Sequence, residues 1–202
     1  MLDINVYFID TNKYSLDEIM NNKYINKKDI DNAFRFKMEL NRKEELISSY
    51  FKNKYINDEI YFNEHNKPLT NNKYFNISHS NGLVIFSYLD DIEIGIDIEK
   101  IREAKEDLIK YISSQLEYKY IDSNRKFYEI WTSKEAIVKC HGNGLTGIVK
   151  EIPGLPLIGT KEYQGKLYRC NMISNDIYAI SVVINSDIDF NINLINEVLN
   201  SN

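Results

Sequence analysis

The chain has 202 residues, of which 43% are hydrophobic, so it can bury the core of one domain or of two small halves. A formal net charge of −5 argues against general nucleic-acid binding. No segment is long and apolar enough to span a membrane, and two cysteines without metal-ligand spacing favour a cytoplasmic protein.

The first part of the chain predicts a strand followed by helices. Residues 4–9 are rich in residues that favour strands, and Ser15 and Glu18 have the spacing of a helix capping box. Apolar residues at helical spacing predict one long helix over residues 28–51. Residues 23–54 hold nine Lys or Arg against five Asp or Glu, which suits either a polyphosphate ligand or a solvated helix face.

A β-hairpin is predicted within residues 75–99. Residues 83–89 are an apolar run, Asp90 and Asp91 give a turn signal, and residues 92–99 alternate between isoleucine and polar residues or glycine. Alternate side chains of a strand point to opposite faces. The polar residues of the second strand therefore share one face, and its isoleucines share the other.

Two carboxylates, Asp97 and Glu99, lie on that polar face, about 6–7 Å apart along the strand. Gly95 on the same face leaves room for another group to approach. Paired carboxylates that are not fully solvated commonly hold a divalent cation. The alternative is an ordinary amphipathic edge strand.

Residues 131–139 predict a helix that ends before Gly142 and Gly144. Glu135 and Lys139 are four residues apart and share one face of this helix. A further helix is predicted over residues 103–121. Strands broken by prolines and glycines are predicted over residues 147–184.

The chain contains an internal repeat in which residues 173–195 align without gaps on residues 77–99, at an offset of 96. The second copy lacks the charged residues of the first, because its matched positions are Asn175 for His79, Asn193 for Asp97 and Ile195 for Glu99. The first copy is therefore predicted to form the site, and the second copy is predicted to serve only in packing the fold.

The repeat predicts an α+β fold of two similar halves related by a pseudo-two-fold axis. Residues 1–101 would form the half with the basic helix and the hairpin, and residues 102–202 the half with the Lys-Glu-x-x-x-Lys helix. Both halves would form one compact unit with the active site between them.

Four segments carry a resemblance to a known family: FNISHS from Phe75, GIDIE from Gly95, WTSKEAIVK from Trp131 and GNGL from Gly142. In this order and at these separations they resemble the 4′-phosphopantetheinyl transferases, of the larger, surfactin-synthetase (Sfp) type. The resemblance extends from about Phe34 to Leu145.

The resemblance implies transfer of the 4′-phosphopantetheine arm of coenzyme A to a serine of an apo acyl or peptidyl carrier protein, with release of adenosine 3′,5′-bisphosphate. Mg²⁺, with Mn²⁺ as a substitute, would be held by Asp97, Glu99 and Glu135. The implied catalytic residues are Asp97, Glu135 and Lys139, with Lys139 facing a phosphate. Whether Glu99 or Glu135 is the base or a metal ligand stays open.

The resemblance also implies the residues that bind coenzyme A. Lys67, Ser78 and His79 match the family's binding motifs. Glu44 stands where the family often has a basic residue for the 3′-phosphate, so Arg42 or Lys43 is expected to replace it, with Arg35 as an alternative one turn earlier.

The partners expected from these features are coenzyme A and an apo carrier protein, without nucleic acid or membrane. The chain is expected to be a monomer with pseudo-dimeric halves. The alternative function is a non-catalytic or degenerate module of the same fold that binds coenzyme A or a carrier protein without transfer.

Overall fold

The computed structural model describes residues 1–144 and 149–199, so Leu145 of the GNGL segment lies outside the described residues. The described residues contain six α-helices: α1 (Leu16–Met20), α2 (Lys27–Ala33), α3 (Glu39–Tyr55), α4 (Glu106–Ile112), α5 (Gln115–Tyr120) and α6 (Asn124–His141). They contain ten strands: β1 (Leu2–Asp10), β2 (Tyr61–Phe62), β3 (Pro68–Leu69), β4 (Tyr74–Ser80), β5 (Leu83–Leu89), β6 (Ile94–Lys100), β7 (Gly159–Tyr163), β8 (Lys166–Ser174), β9 (Tyr178–Ile184) and β10 (Phe190–Asn196).

Two four-stranded sheets form the centre of an α+β fold, as predicted. The first has the strand order β10-β1-β5-β4 and the second has the order β6-β9-β8-β7. Isoleucines and valines of both sheets meet in a shared core. Helix α3 covers the outer face of the first sheet, and α6 covers the outer face of the second. The layers are therefore helix, sheet, sheet and helix.

The predicted pairing of residues 83–89 with residues 92–99 is wrong. Strand β5 pairs with β4 and β1, whereas β6 crosses to the second sheet and pairs with β9. The hairpin is formed by β4 and β5, and its turn is made by Asn81 and Gly82, which both have positive φ angles, of 52° and 88°. Such a two-residue turn matches the twist of paired strands. The alternation of β6 is as predicted, with its isoleucines in the shared core.

Two predicted long helices are each divided into two shorter helices. The first breaks between α2 and α3, which lets α2 fold back so that Ala33 joins the same core as Leu46 and Ile47 of α3. The second breaks at Ser113 and Ser114, where the Ser114 side chain caps a new helix in a capping box with Glu117. The capping box of Ser15 and Glu18 at α1 is confirmed.

Side chains of β4 join the two sheets at their neighbouring edges. The Asn76 side-chain oxygen accepts a hydrogen bond from Ile96 N–H at 3.0 Å, and Ser78 Oγ accepts one from Ile98 N–H at 3.3 Å. Ser80 Oγ continues the series by accepting from Lys100 N–H at 3.1 Å. The outer N–H groups of β6 are thus paired with side chains, in place of the backbone carbonyls that a neighbouring strand would supply.

Gly95 provides the room that the sequence predicted, and the group that approaches it is helix α6. A Cβ atom at Gly95 would overlap the Ala136 carbonyl oxygen and the Cys140 amide nitrogen. The backbone of α6 therefore lies directly on β6. This contact places one face of α6 beside the polar face of β6.

The chain termini meet in the first sheet, where β1 and β10 pair in parallel from Leu2 opposite Phe190 to Phe8 opposite Asn196. The Glu197 carboxylate then accepts hydrogen bonds from Tyr50 and Tyr55 and forms an ion pair with Lys54, all on α3. No helix in the described ranges is long and apolar enough to cross a membrane.

We expect Gly95→Ala to destabilise the fold by about 3 kcal/mol, because the added methyl group would push α6 away from β6. Thermal and urea unfolding would measure this. The control is Gly165→Ala, which has open space within 4 Å and a φ angle of +75°, and should cost only about 1 kcal/mol of backbone strain. Equal losses for the two variants would contradict the close contact.

Asn76→Ala should lower the free energy of unfolding by about 2 kcal/mol, because it leaves the Ile96 N–H buried without an acceptor. Urea unfolding provides the measurement. Asn191→Ala serves as the control, since the exposed Asn191 side chain bonds only Asp3 at the surface and its removal should change little. A loss at Asn76 no larger than at Asn191 would show that this contact between β4 and β6 contributes little.

Candidate active site

A polar cleft of about 300 Å³ lies between β4, β6 and α6. It is lined by Ile77, Ser78, His79, Asp97, Glu99, Trp131, Glu135 and Lys139. The cleft forms here because β4 is joined to β6 by its side chains and α6 lies against Gly95. The three predicted metal ligands and the predicted phosphate-binding lysine therefore surround one space.

Two further clefts adjoin this one and share lining residues with it. One contains Lys67 and shares Glu135 and Lys139 with the central cleft. The other contains Lys100 and Arg102 and shares His79 and Glu99 with it. We refer to the three clefts together as the groove. The central cleft and the cleft with Lys100 and Arg102 are lined mainly by polar atoms, which suits a charged ligand.

Asp97 is the most buried of the three carboxylates, with 4% of its surface exposed. Its Oδ1 atom accepts hydrogen bonds from Ser78 Oγ at 2.8 Å and from Lys139 Nζ at 2.6 Å. Lys139 also donates to Ser78 Oγ at 2.9 Å. The Ser78 hydroxyl is therefore engaged with Asp97, Lys139 and the backbone of β6. Its predicted contact with coenzyme A stays a prediction.

The pKa values of Glu135 and Glu99 are both raised, which favours the neutral forms of the two carboxyl groups. Burial, followed by the negative charge of Asp97, raises the pKa of Glu135 to about 7, although Lys139 acts in the opposite direction. Burial also raises the pKa of Glu99, against hydrogen bonds from Ser80 and Trp131 that lower it. Three carboxylates thus crowd one cleft with one nearby ammonium group, and a further cation would relieve their repulsion.

The donor set of this cleft fits a hard divalent cation. Asp97 Oδ2 and Glu135 Oε1 are buried oxygens that have no hydrogen-bond partner among the described residues. Within residues 1–144 and 149–199, no three Asp, Glu, His or Cys side chains are grouped closely enough to hold a metal ion by themselves. Mg²⁺ commonly binds through one or two carboxylates plus phosphate oxygens and water, so the cleft fits that mode and not a complete protein cage.

Lys67 lies at one end of the groove but binds the protein itself. Its Nζ donates to the Cys140 carbonyl at 2.7 Å, and the Asn63 side chain donates to the Gly142 carbonyl at 2.9 Å. Together they satisfy carbonyls at the C-terminal end of α6. Burial lowers the pKa of Lys67. A contact of Lys67 with coenzyme A stays a prediction.

Arg42 and Lys43 contact other parts of the chain. The Arg42 guanidinium lies 4.6 Å from the centre of the Phe34 ring, and its Nε donates to the Phe36 carbonyl. Lys43 forms an ion pair with Glu39 at 3.0 Å. Neither Arg42 nor Lys43 is among the residues that line the groove.

Several residues that line the groove were not predicted as site residues from the sequence, among them Trp131 and Arg102. Trp131 lines the central cleft beside Glu99, although the sequence assigned it no role in the site. Glu44 lies buried against His79, 3.1 Å from its Nδ1 atom. The sequence placed Glu44 within a basic segment, but its partner could not be known without the fold.

Comparison with known proteins agrees with this geometry. Residues 93–169 match the sequence model of the 4′-phosphopantetheinyl transferase superfamily. Over these residues the chain is similar to the 4′-phosphopantetheinyl transferases. The predicted resemblance is thereby confirmed. The matched stretch contains β6 and α6, so it carries Asp97, Glu99, Glu135 and Lys139, whereas Lys67 and His79 precede it.

Individual relatives cover a similar share of the chain. A 4′-phosphopantetheinyl transferase of Bacillus subtilis is 36% identical over 85 residues, which are 39% of this chain and 38% of the relative. The transferase gsp of Aneurinibacillus migulanus is 34% identical over 98 residues, 44% of this chain and 41% of the relative. The transferase Sfp of Bacillus subtilis (strain 168) is 38% identical over 79 residues, 36% of this chain and 35% of the relative. The chain therefore spans about two fifths of these transferases.

The pKa of Glu135 predicts a measurable dependence of stability on pH. An unfolded glutamate has a pKa of about 4.3, so between this pH and about 7 the folded protein holds a proton that the unfolded chain has lost. Stability should therefore fall as the pH rises through this window and level off above it.

Glu135→Gln should remove this fall. The free energy of unfolding would be measured with urea in EDTA for the variant and the wild type. The variant's value minus the wild-type value should rise by about 2–3 kcal/mol when the pH is raised from 4.5 to 8. If the difference in the free energy of unfolding between the two proteins is the same at both pH values, the surroundings of Glu135 do not raise its pKa.

Proposed function

We propose that this chain is an enzyme that transfers the 4′-phosphopantetheine arm of coenzyme A to a serine hydroxyl of an apo acyl or peptidyl carrier protein. Adenosine 3′,5′-bisphosphate would be released. The observation that carries the proposal is the cleft in which Asp97, Glu99, Glu135 and Lys139 meet, because it lies within the stretch that matches the superfamily. The relatives of Bacillus and Aneurinibacillus are named 4′-phosphopantetheinyl transferases, which supports the proposal.

The groove suits the shape and charge of coenzyme A. This substrate is long and carries a pyrophosphate and a further phosphate. Lys139 and His79 line the central cleft, and Lys100 and Arg102 line one adjoining cleft. Lys139 would face the pyrophosphate and balance the charge that develops on the leaving group.

The transfer is a displacement at phosphorus. The serine oxygen attacks the phosphorus that bears the pantetheine arm, and the bond from this phosphorus to the bridging oxygen of the pyrophosphate breaks. The serine proton passes to Glu135, directly or through a water molecule. A carboxyl with a pKa near 7 is suited to accept a proton at neutral pH. Its unpartnered buried oxygen supports this role.

Asp97 and Glu99 would then hold Mg²⁺, or Mn²⁺ in its place, with Glu135 as a third ligand when it is not acting as the base. The bound cation would offset the charge of the pyrophosphate. Ser78 would keep Asp97 in place through its 2.8 Å hydrogen bond, and Ser80 would do the same for Glu99 at 2.9 Å.

We also propose that the chain consists of two halves, residues 1–101 and residues 102–202, which are related by pseudo-two-fold symmetry. Support comes from β6 and β10, because Ile94–Lys100 moved by the repeat offset of 96 gives residues 190–196, the bounds of β10. Each of these strands pairs into the sheet of the other half. A cytoplasmic monomer is proposed, and the two buried, unpaired cysteines support a reducing compartment.

The repeat provides matched variants for a test. Asp97→Asn keeps the shape of the side chain but removes the charge that the cation needs, so transfer should fall by at least about a hundredfold. Asn193→Ala, at the matched exposed position of the second copy, should leave transfer unchanged. The assay incubates the protein with coenzyme A, Mg²⁺ and a panel of apo carrier proteins, and detects the pantetheine adduct by intact mass.

EDTA in excess should abolish the adduct, and Mg²⁺ should restore it. Coenzyme A and Mg²⁺ together should raise the melting temperature of the wild type but not of Asp97→Asn. Binding of coenzyme A without any adduct across the carrier panel would favour the non-catalytic module. Full transfer in EDTA would exclude the three-carboxylate cation site.

A further inference from the structure

Glu44 is a buried carboxylate on α3, and both of its oxygens have partners. Its side chain is 7% exposed. Oε1 accepts a hydrogen bond from the Gly82 N–H at 2.8 Å, in the turn between β4 and β5. Oε2 lies 3.1 Å from His79 Nδ1. Although burial raises the pKa of Glu44, the hydrogen bonds from His79 and Gly82 more than offset this and lower it.

His79 depends on this contact for its orientation. Its side chain is 52% exposed, and it lines both the central cleft and the adjoining cleft that contains Lys100 and Arg102. A half-exposed side chain would otherwise sample several rotamers. Because Nδ1 contacts Glu44, the other ring nitrogen, Nε2, is the one that can bind a ligand in the groove. An imidazolium donates from both nitrogens, so Nε2 can bind an anion while Nδ1 binds Glu44.

We propose that Glu44 is a positioning residue, which acts on coenzyme A through His79 by holding the imidazole ring with Nε2 presented to the groove. This inference rests on the proposed function. Glu44 does not itself contact the ligand. Both of its carboxylate oxygens are engaged, one by the Gly82 N–H and the other by His79.

A purely structural role is the competing explanation. The hydrogen bond to Gly82 would by itself account for a glutamate that holds the turn, and such a residue would affect coenzyme A binding only through the stability of the turn. The two roles differ in what they predict for ligand binding. A turn clamp should change coenzyme A affinity to the same extent whether or not His79 is present, whereas a positioning residue needs His79 for its effect.

The experiment is a double-mutant cycle on coenzyme A affinity, measured by calorimetry without turnover. Glu44→Gln retains an oxygen for the Gly82 N–H but loses the charge that holds His79. It should weaken coenzyme A binding about tenfold in the wild-type background and not at all in a His79→Ala background. Ser48→Ala is the matched control, because it lies one turn further along α3 and bonds the Glu44 carbonyl. It should leave the affinity unchanged.

Steady-state kinetics with a carrier protein adds a second readout. Glu44→Gln should raise KM for coenzyme A and leave KM for the carrier protein unchanged. An equal loss of affinity in the two backgrounds, or no loss in the wild-type background, would overturn the inference. Should Glu44→Gln not fold, Glu44→Asp takes its place, because it keeps the charge but withdraws it from His79 by one methylene group.

A readout without ligand separates this inference from the proposed function. The ¹⁵N signals of the His79 ring should shift in Glu44→Gln and stay unchanged in Ser48→Ala. Unchanged signals in both variants would overturn the positioning role, even if coenzyme A binds. If wild-type protein shows no coenzyme A binding while the His79 signals respond to Glu44→Gln, the proposed function fails and the orientation of His79 by Glu44 stands.

Discussion

The contact between β4 and β6 determines where the rest of the site can lie. Each strand is the edge strand of its own sheet, yet no backbone ladder joins the two among the described residues. Side-chain oxygens of Asn76, Ser78 and Ser80 accept the outward N–H groups of β6 instead. This pairing fixes the two strands at a constant register, so that His79 of one strand faces the same cleft as Asp97 and Glu99 of the other.

The same polar residues support the electrostatics of the cleft. Ser78 and Ser80 bond the carboxylates of Asp97 and Glu99 as well as the backbone of β6. Three partly buried carboxylates with one lysine cost stability, since each would be better solvated alone. The packing of α6 on Gly95 and the contacts of β4 must offset this cost. The charged cleft therefore lowers the stability of the fold, while its charges are suited to binding a cation and a polyphosphate.

Local patterns in the sequence predicted those structural features that depend only on residues close to each other along the chain. The alternation of β6, the capping box of Ser15 and the position of Glu135 and Lys139 on one helix face are of this kind. The partner of β6 could not be predicted, because the same alternation suits any neighbouring strand. The helix breaks before Glu39 and at Ser114 depend on tertiary packing and on a cap within an apolar pattern. The contact between Glu44 and His79 could not be predicted either, because the two residues are distant in sequence.

The parallel pairing of β1 with β10 has a consequence for how the protein is made. Strand β1 is central in its sheet, yet one of its two neighbours is the last strand of the chain. A growing chain on the ribosome therefore holds one edge of β1 open until residue 196 has emerged. Contacts between such distant segments form slowly, and an unpaired strand edge can pair with other chains in the meantime. Shielding of this edge of β1 during synthesis therefore depends on β10, whose residues do not line the groove.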